Sequence, residues 1–138
     1  MFIKQISVFL ENKAGRLAEI TGVLAENEIN IKALSIADTN DFGILRLIVD
    51  KTAEAYNALS DRGFRVRETP VVGIMLDHKP GELHRVLKQM EKNNIFIEYM
   101  YDFLAADSAE KVTIIAKLEN QDEAVKTMSG VGIKFYES

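Results

Sequence analysis

Two short segments hold the residue types that could meet a small ligand: Glu11-Asn12-Lys13-Ala14-Gly15-Arg16-Leu17 and Asp77-His78-Lys79-Pro80-Gly81-Glu82-Leu83. In each, a glycine sits between a run that alternates like a strand and a run with helical spacing. Glycine lets the backbone take φ > 0 or approach a ligand closely. The helix that follows turns its unpaired N–H groups and positive dipole end toward the loop. That chemistry suits a carboxylate. Gly15 and Gly81 suit a plain tight strand-to-helix turn equally well, and the segments alone leave both readings open.

Other candidates are weaker. His78 and His84 are six residues apart, on opposite phases were both on one helix, so joint metal binding is not expected. His84 lies among Glu82, Arg85 and Lys88 and reads as a solvated helix residue, whereas His78 lies in the loop and retains a claim to a ligand contact. Asp38, Asp41, Asp102 and Asp107 flank expected hairpin turns, where carboxylates commonly bond their own backbone. Serine-hydrolase, zinc-protease, Walker A and dinucleotide-binding patterns are absent; Gly15 and Gly22 are too far apart for the last. Neither catalysis nor a cofactor is expected.

The elements that must position these loops come in two copies. Sliding the chain by 66 places lays Val8–Ile36 on Ile74–Asp102, with seven identities in 29 columns, including Lys13/Lys79, Gly15/Gly81, Leu17/Leu83 and Asn27/Asn93. Past a three-residue insertion the match resumes at offset 69, with Glu54-Ala55 on Glu123-Ala124 and Gly63-Phe64 on Gly132-Ile133. The expected division is therefore 1–69 and 70–138, meeting near Pro70. Within each copy Ile6, Val8 and Leu10 alternate as a strand, then Leu17, Ile20 and Leu24 fall at helical spacing, matched by Leu83, Val86, Leu87 and Met90. The runs IKALSIAD and ILRLIVD, then IFIEYMYDF and KVTIIAKL, predict hairpins. Short helices follow at Ala55-Tyr56-Leu59 and Ala124-Val125-Met128, the second opened by an Asn120/Glu123 capping box. FRVRE and IKFYE close the copies as final strands. The order β-α-β-β-α-β, twice, predicts an α+β fold of two ferredoxin-like units with antiparallel sheets. A unit this small is marginal alone, so the two are expected to support one another.

Composition narrows the function classes. With 138 residues, 47% hydrophobic and 28% charged, the chain is expected to bury a core. The net charge of −4 is shared by two acidic halves and offers no field for a phosphate backbone. The third-strand runs ILRLIVD and KVTIIAKL lack the aromatic platforms that RNA-binding sheets use, so no nucleic-acid partner is expected. There is no cysteine, which removes disulfides and thiolate ligands and makes a cytoplasmic address the default. The apolar run at Val71 meets Asp77 well short of the ~20 residues needed to span a bilayer, and the N-terminus lacks the features of a signal peptide.

With this strand order and loop, the sequence resembles a tandem pair of ACT domains, small regulatory units that bind amino acids beside biosynthetic enzymes. The segment Val8–Ile36 carries the resemblance best: an Asn, two positions, Gly, one position, Leu, an amphipathic helix, then Asn-Ile opening the second strand. The resemblance covers essentially the whole chain, once per unit. It implies a ligand lying between the first loop of one domain and the second-strand start of a neighbour. Carried over by position, the loops are Asn12, Lys13, Ala14, Gly15, Arg16 and Leu17, and His78, Lys79, Pro80, Gly81, Glu82 and Leu83; the strand starts are Asn30-Ile31 and Phe96. Phe96 departs from the pattern because it cannot hydrogen-bond a polar ligand. The resemblance implies a non-catalytic sensor of a free amino acid or similar small carboxylate, acting through a regulated enzyme or through self-assembly. The rival reading is a structural dimerisation module without a ligand. A homodimer is expected, because nothing such as a proline inside IKALSIAD blocks an open sheet edge.

Overall fold

The computed structural model describes residues 2–11, 13–38, 41–103 and 110–137. Among them are seven strands and four helices: β1 (Ile3–Glu11), α1 (Arg16–Glu26), β2 (Ile31–Asp38), β3 (Phe42–Val49), α2 (Thr52–Asp61), β4 (Arg65–Asp77), α3 (Glu82–Lys92), β5 (Ile97–Asp102), β6 (Lys111–Leu118), α4 (Gln121–Gly130) and β7 (Lys134–Phe135). The described chain is α+β, with antiparallel strand pairs, and follows the expected order. It divides into two compact units, Lys4–Thr69 and Pro70–Ser138, the first three residues grouping with the second.

In the unit of residues 4–69 the strand order is β2-β3-β1-β4. Register sets Ile6 opposite Leu47 and Val8 opposite Leu45. Side chains of directly opposed residues share a face, so these four form one apolar surface. α1 covers it with Ile20, Val23 and Leu24, and α2 with Ala55 and Leu59, all at most 2% exposed. Burying one such side chain stabilises by about 1.5–3 kcal/mol, which is why the helical and strand periods must point at each other. The second unit repeats the arrangement: Ile74, Leu76, Ala116 and Leu118 from β4 and β6 pack with Val86 and Met90 of α3 and with Ala124, Val125 and Met128 of α4.

Four expectations are corrected. FRVRE and the first strand of the second copy are one continuous 13-residue strand, β4; Pro70 lies within it and accepts at its carbonyl from Gln121 Nε2 at 2.9 Å, where its missing N–H is no loss. The Asn120/Glu123 capping box does not form, because Asn120 adopts left-handed angles (φ 52°, ψ 57°) and makes no side-chain cap. Leu17 and Leu83 fall in the first helical turns, ahead of the packed stretch, and stay 38% and 39% exposed. β3 starts two residues before the run ILRLIVD, so an aromatic, Phe42, opens it. Of the four carboxylates expected to flank hairpin turns, Asp107 lies outside the described residues.

Candidate functional site

The two loops are built alike. Gly15 and Gly81 take φ 88° and 89° and cap α1 and α3 from the left-handed region. In the first loop the Lys13 N–H donates to the Glu11 carbonyl (2.8 Å), Arg16 to Lys13 (3.2 Å) and Glu19 to Gly15 (2.9 Å). In the second, Lys79 donates to Asp77 (3.0 Å), Glu82 to Lys79 (3.4 Å) and Arg85 to Gly81 (2.9 Å). Nothing lies within 4 Å of a Cβ built on either glycine, so both are required by backbone angle and not by crowding. Neither has a side chain to cap the following N–H donors, which leaves each helix start electropositive.

The remaining predicted residues divide. Lys13, Ala14 and Leu17 are exposed, as are His78, Lys79, Pro80, Gly81 and Leu83; Asn12 lies outside the described residues. Lys13 pairs with Glu11 at 2.8 Å and His78 donates its backbone N–H to the Glu110 carbonyl at 2.7 Å. The Glu82 carboxylate, only 12% exposed, is held by Arg85 at 3.1 Å, the charge-reversed image of Arg16 on Glu19 at 3.1 Å. Asn30 precedes β2, where it donates its backbone N–H to Asp50 Oδ1 at 2.9 Å and accepts from the Asp50 N–H at 3.1 Å. Ile31 pairs with Val49 while Glu11 pairs with Phe42 at the other end of β3. Seven residue steps of about 3.4 Å along β3 set about 24 Å between the start of β2 and the end of β1 that leads into the loop. Within one unit, then, Asn30-Ile31 and the loop stand at opposite ends of the sheet. Phe96, 61% exposed, likewise precedes β5 at the end remote from Asp77.

What the unit of residues 4–69 does gather beside its loop is a groove of about 600 Å³. Three strand ends line it, Phe9-Leu10-Glu11, Phe42-Gly43-Ile44 and Gly63-Phe64-Arg65, together with Arg16 and Glu19 on the first turn of α1. Of the predicted site residues that the structure describes, only Arg16 lines it. The Arg65 guanidinium carbon lies 5.8 Å from the centroid of the Phe9 ring, within cation–π range. Arg62, also in the lining, pairs with Glu26 at 2.6 Å. Lys13, by hydrogen bond and charge, holds the Glu11 carboxyl below its usual range.

The second unit has a depression of about 230 Å³ at the same place in its repeat, lined by Met75, Leu76, Asp77, Glu82, Arg85, Lys111, Gly132, Ile133 and Lys134. The offsets set Met75 where the first unit has Phe9, Asp77 for Glu11, Lys111 for Phe42 and Lys134 for Arg65. Here Lys111 hydrogen-bonds Asp77 across the β4–β6 register and draws its carboxyl below the usual range, while Asp77 raises the Lys111 ammonium. Reading the sequence alone missed the strand-end residues Phe9, Phe42, Phe64 and Arg65; the 69-residue offset, which aligns Gly63-Phe64 with Gly132-Ile133, was the available signal. No cluster of three metal-ligating side chains occurs among the described residues, and none of the described helices is long and apolar enough to cross a membrane.

Known proteins share the fold that carries these loops. The acetolactate synthase small subunit of Haemophilus influenzae is 32% identical over 50 residues, a match that takes in 36% of this chain and 31% of that subunit. Protein BT0572 from Bacteroides thetaiotaomicron has a crystal structure that superposes with a TM-score of 0.91 at 41% identity, over 99% of this chain and 92% of that one. The ligand-free regulatory subunit of aspartate kinase from Thermus thermophilus superposes with a TM-score of 0.66 at 17% identity, over 94% and 92% of the two chains, and shares the fold. The pattern of the ACT domain pair family matches residues 1–136, and with the repeated strand order and glycine-capped helices that match establishes that this chain belongs to the ACT domain pair family.

Proposed function

We propose that this chain is a non-catalytic regulatory module that binds a free amino acid or a similar small carboxylate and passes the signal to a partner enzyme in the cytoplasm. The observation that carries the reading is the electropositive, glycine-capped start of α1 (φ 88° at Gly15) beside a groove of about 600 Å³. That volume lies within the ~300–1,000 Å³ of small-molecule sites. Family membership supports a regulatory role, and the names of two similar proteins, an aspartate kinase regulatory subunit and an acetolactate synthase small subunit, point the same way. We further propose a homodimer: among the described residues β2 pairs only with β3, and exposed Leu34 and Ile36 stand along it, an edge of the kind that pairs with a second chain. Calorimetric titration with each of the common amino acids tests the reading. Saturable binding of at least one supports it; no heat with any of them at millimolar concentration overturns it in favour of a ligand-free structural module.

A further inference from the structure

The two repeats place different chemistry at the same point of the fold, and the difference selects a ligand. Phe9 is 37% and Phe42 61% exposed at the mouth of the larger groove, so both rings present apolar surface to whatever occupies it. Arg16 and Arg62 are each committed to a glutamate, at 3.1 and 2.6 Å. Arg65 has no carboxylate within ion-pair distance among the described residues; its contact is the Phe9 ring, 5.8 Å away. Stacking leaves the guanidinium edge and its forked N–H donors available for a planar anion.

We propose that this groove, in the unit of residues 4–69, is the ligand site of the chain and takes an α-amino acid with a large apolar or aromatic side chain, its carboxylate on Arg65 and its body against Phe9 and Phe42. The inference rests on the amino-acid-binding reading above and adds to it a place, a class and a stoichiometry. Glu11 lines the same groove, but its carboxylate is already paired with Lys13 at 2.8 Å, so the ligand carboxylate is the end the groove holds. The equivalent depression in the other unit cannot serve. Its volume is about 230 Å³, and the position of Phe42 is taken by Lys111, whose ammonium is bound to Asp77. One site per chain follows.

The test is calorimetry of the full chain with L-phenylalanine, L-leucine, L-aspartate and L-lysine, and with 3-phenylpropionate and phenethylamine, which keep only the carboxylate or only the ammonium. Expected are one site per chain, phenylalanine or leucine ahead of aspartate and lysine, and 3-phenylpropionate ahead of phenethylamine. Arg65→Met and Phe42→Ala should each weaken binding at least tenfold, Arg65→Lys less, and the counterpart variant Lys134→Met not at all. The altered residues are exposed, and unchanged thermal melts without ligand check that each variant folds. An amino acid that binds equally well to Arg65→Met and Phe42→Ala but is lost in Asn30→Ala overturns this site and leaves the amino-acid reading standing. Preference for aspartate or lysine, or two equal sites per chain, overturns it too. No binding by any amino acid overturns both.

Discussion

At the residue scale, backbone angle separates residues that sequence treats alike. Gly15 and Gly81 have open space around them and φ near 88°, so Gly15→Val and Gly81→Val are each expected to cost about 1–2 kcal/mol through left-handed strain alone, read as a lower urea midpoint at unchanged slope. Glu28 shows the converse. It sits at φ 56°, and its repeat partner Asn94 at φ 55°, but asparagine tolerates the left-handed region and glutamate does not. Glu28→Gly should therefore stabilise by up to about 1 kcal/mol; a loss of stability would show that the glutamate side chain carries a compensating contact. The Asp77–Lys111 pair makes a pH prediction. Its hydrogen bond to Lys111 lowers the Asp77 pKa, so the pair's contribution is present above the ordinary aspartate range and is lost as pH falls through the lowered value. Lys111→Met should move the Asp77 titration midpoint up toward the ordinary range, followed by carboxyl NMR. An unmoved midpoint would assign the shift to another cause.

At the element scale, α4 gives the clearest departure from local rules. A serviceable capping box at Asn120 and Glu123 would lose about 1 kcal/mol on truncation of either residue. In the structure Asn120 is left-handed and caps nothing, while Gln121 accepts from the Leu118 N–H at 3.3 Å and donates to the Pro70 carbonyl at 2.9 Å. Asn120→Gly should then be neutral or mildly stabilising and Glu123→Ala close to neutral, whereas Gln121→Ala should cost about 0.5–1.5 kcal/mol for its hydrogen bonds. Thermal melts of the three variants rank them; a larger loss at Glu123 than at Gln121 would restore the capping box. The helix ends at Gly130; Gly132 follows at φ 89° and the Ile133 N–H reaches back to the Met128 carbonyl at 3.0 Å.

At the scale of the whole molecule, ligand and partner both act by mass action. An amino acid that binds only the folded chain should add about 2.7 kcal/mol at 100 times its Kd, seen as a melting temperature that rises with ligand concentration. A flat melt in the presence of a ligand that calorimetry shows to bind would mean that the unfolded chain binds it as well. The proposed dimer predicts a light-scattering mass of twice 15.5 kDa for this chain. A monomer mass across the accessible concentration range would remove the dimer and with it the role given to the edge of β2.

The sequence by itself determined the repeat, the order of elements and the two glycine turns, because each is a short-range property: a period of two or of 3.6, or a residue that tolerates φ > 0. IKALSIAD and KVTIIAKL coincide with β2 and β6 to the residue. What only the tertiary structure decided is who meets whom. β4 runs unbroken through the expected boundary between copies. Asn30 is held near Asp50, at the end of the sheet away from Gly15. The groove is assembled from residues 9–11, 16, 19, 37, 42–44 and 62–65, brought together by strand register and by the return of the chain after α2. Phe42 and Arg65 look like ordinary surface residues in a linear reading. They become candidates for ligand binding because antiparallel pairing sets three strand ends side by side, and no local pattern encodes which ends those will be.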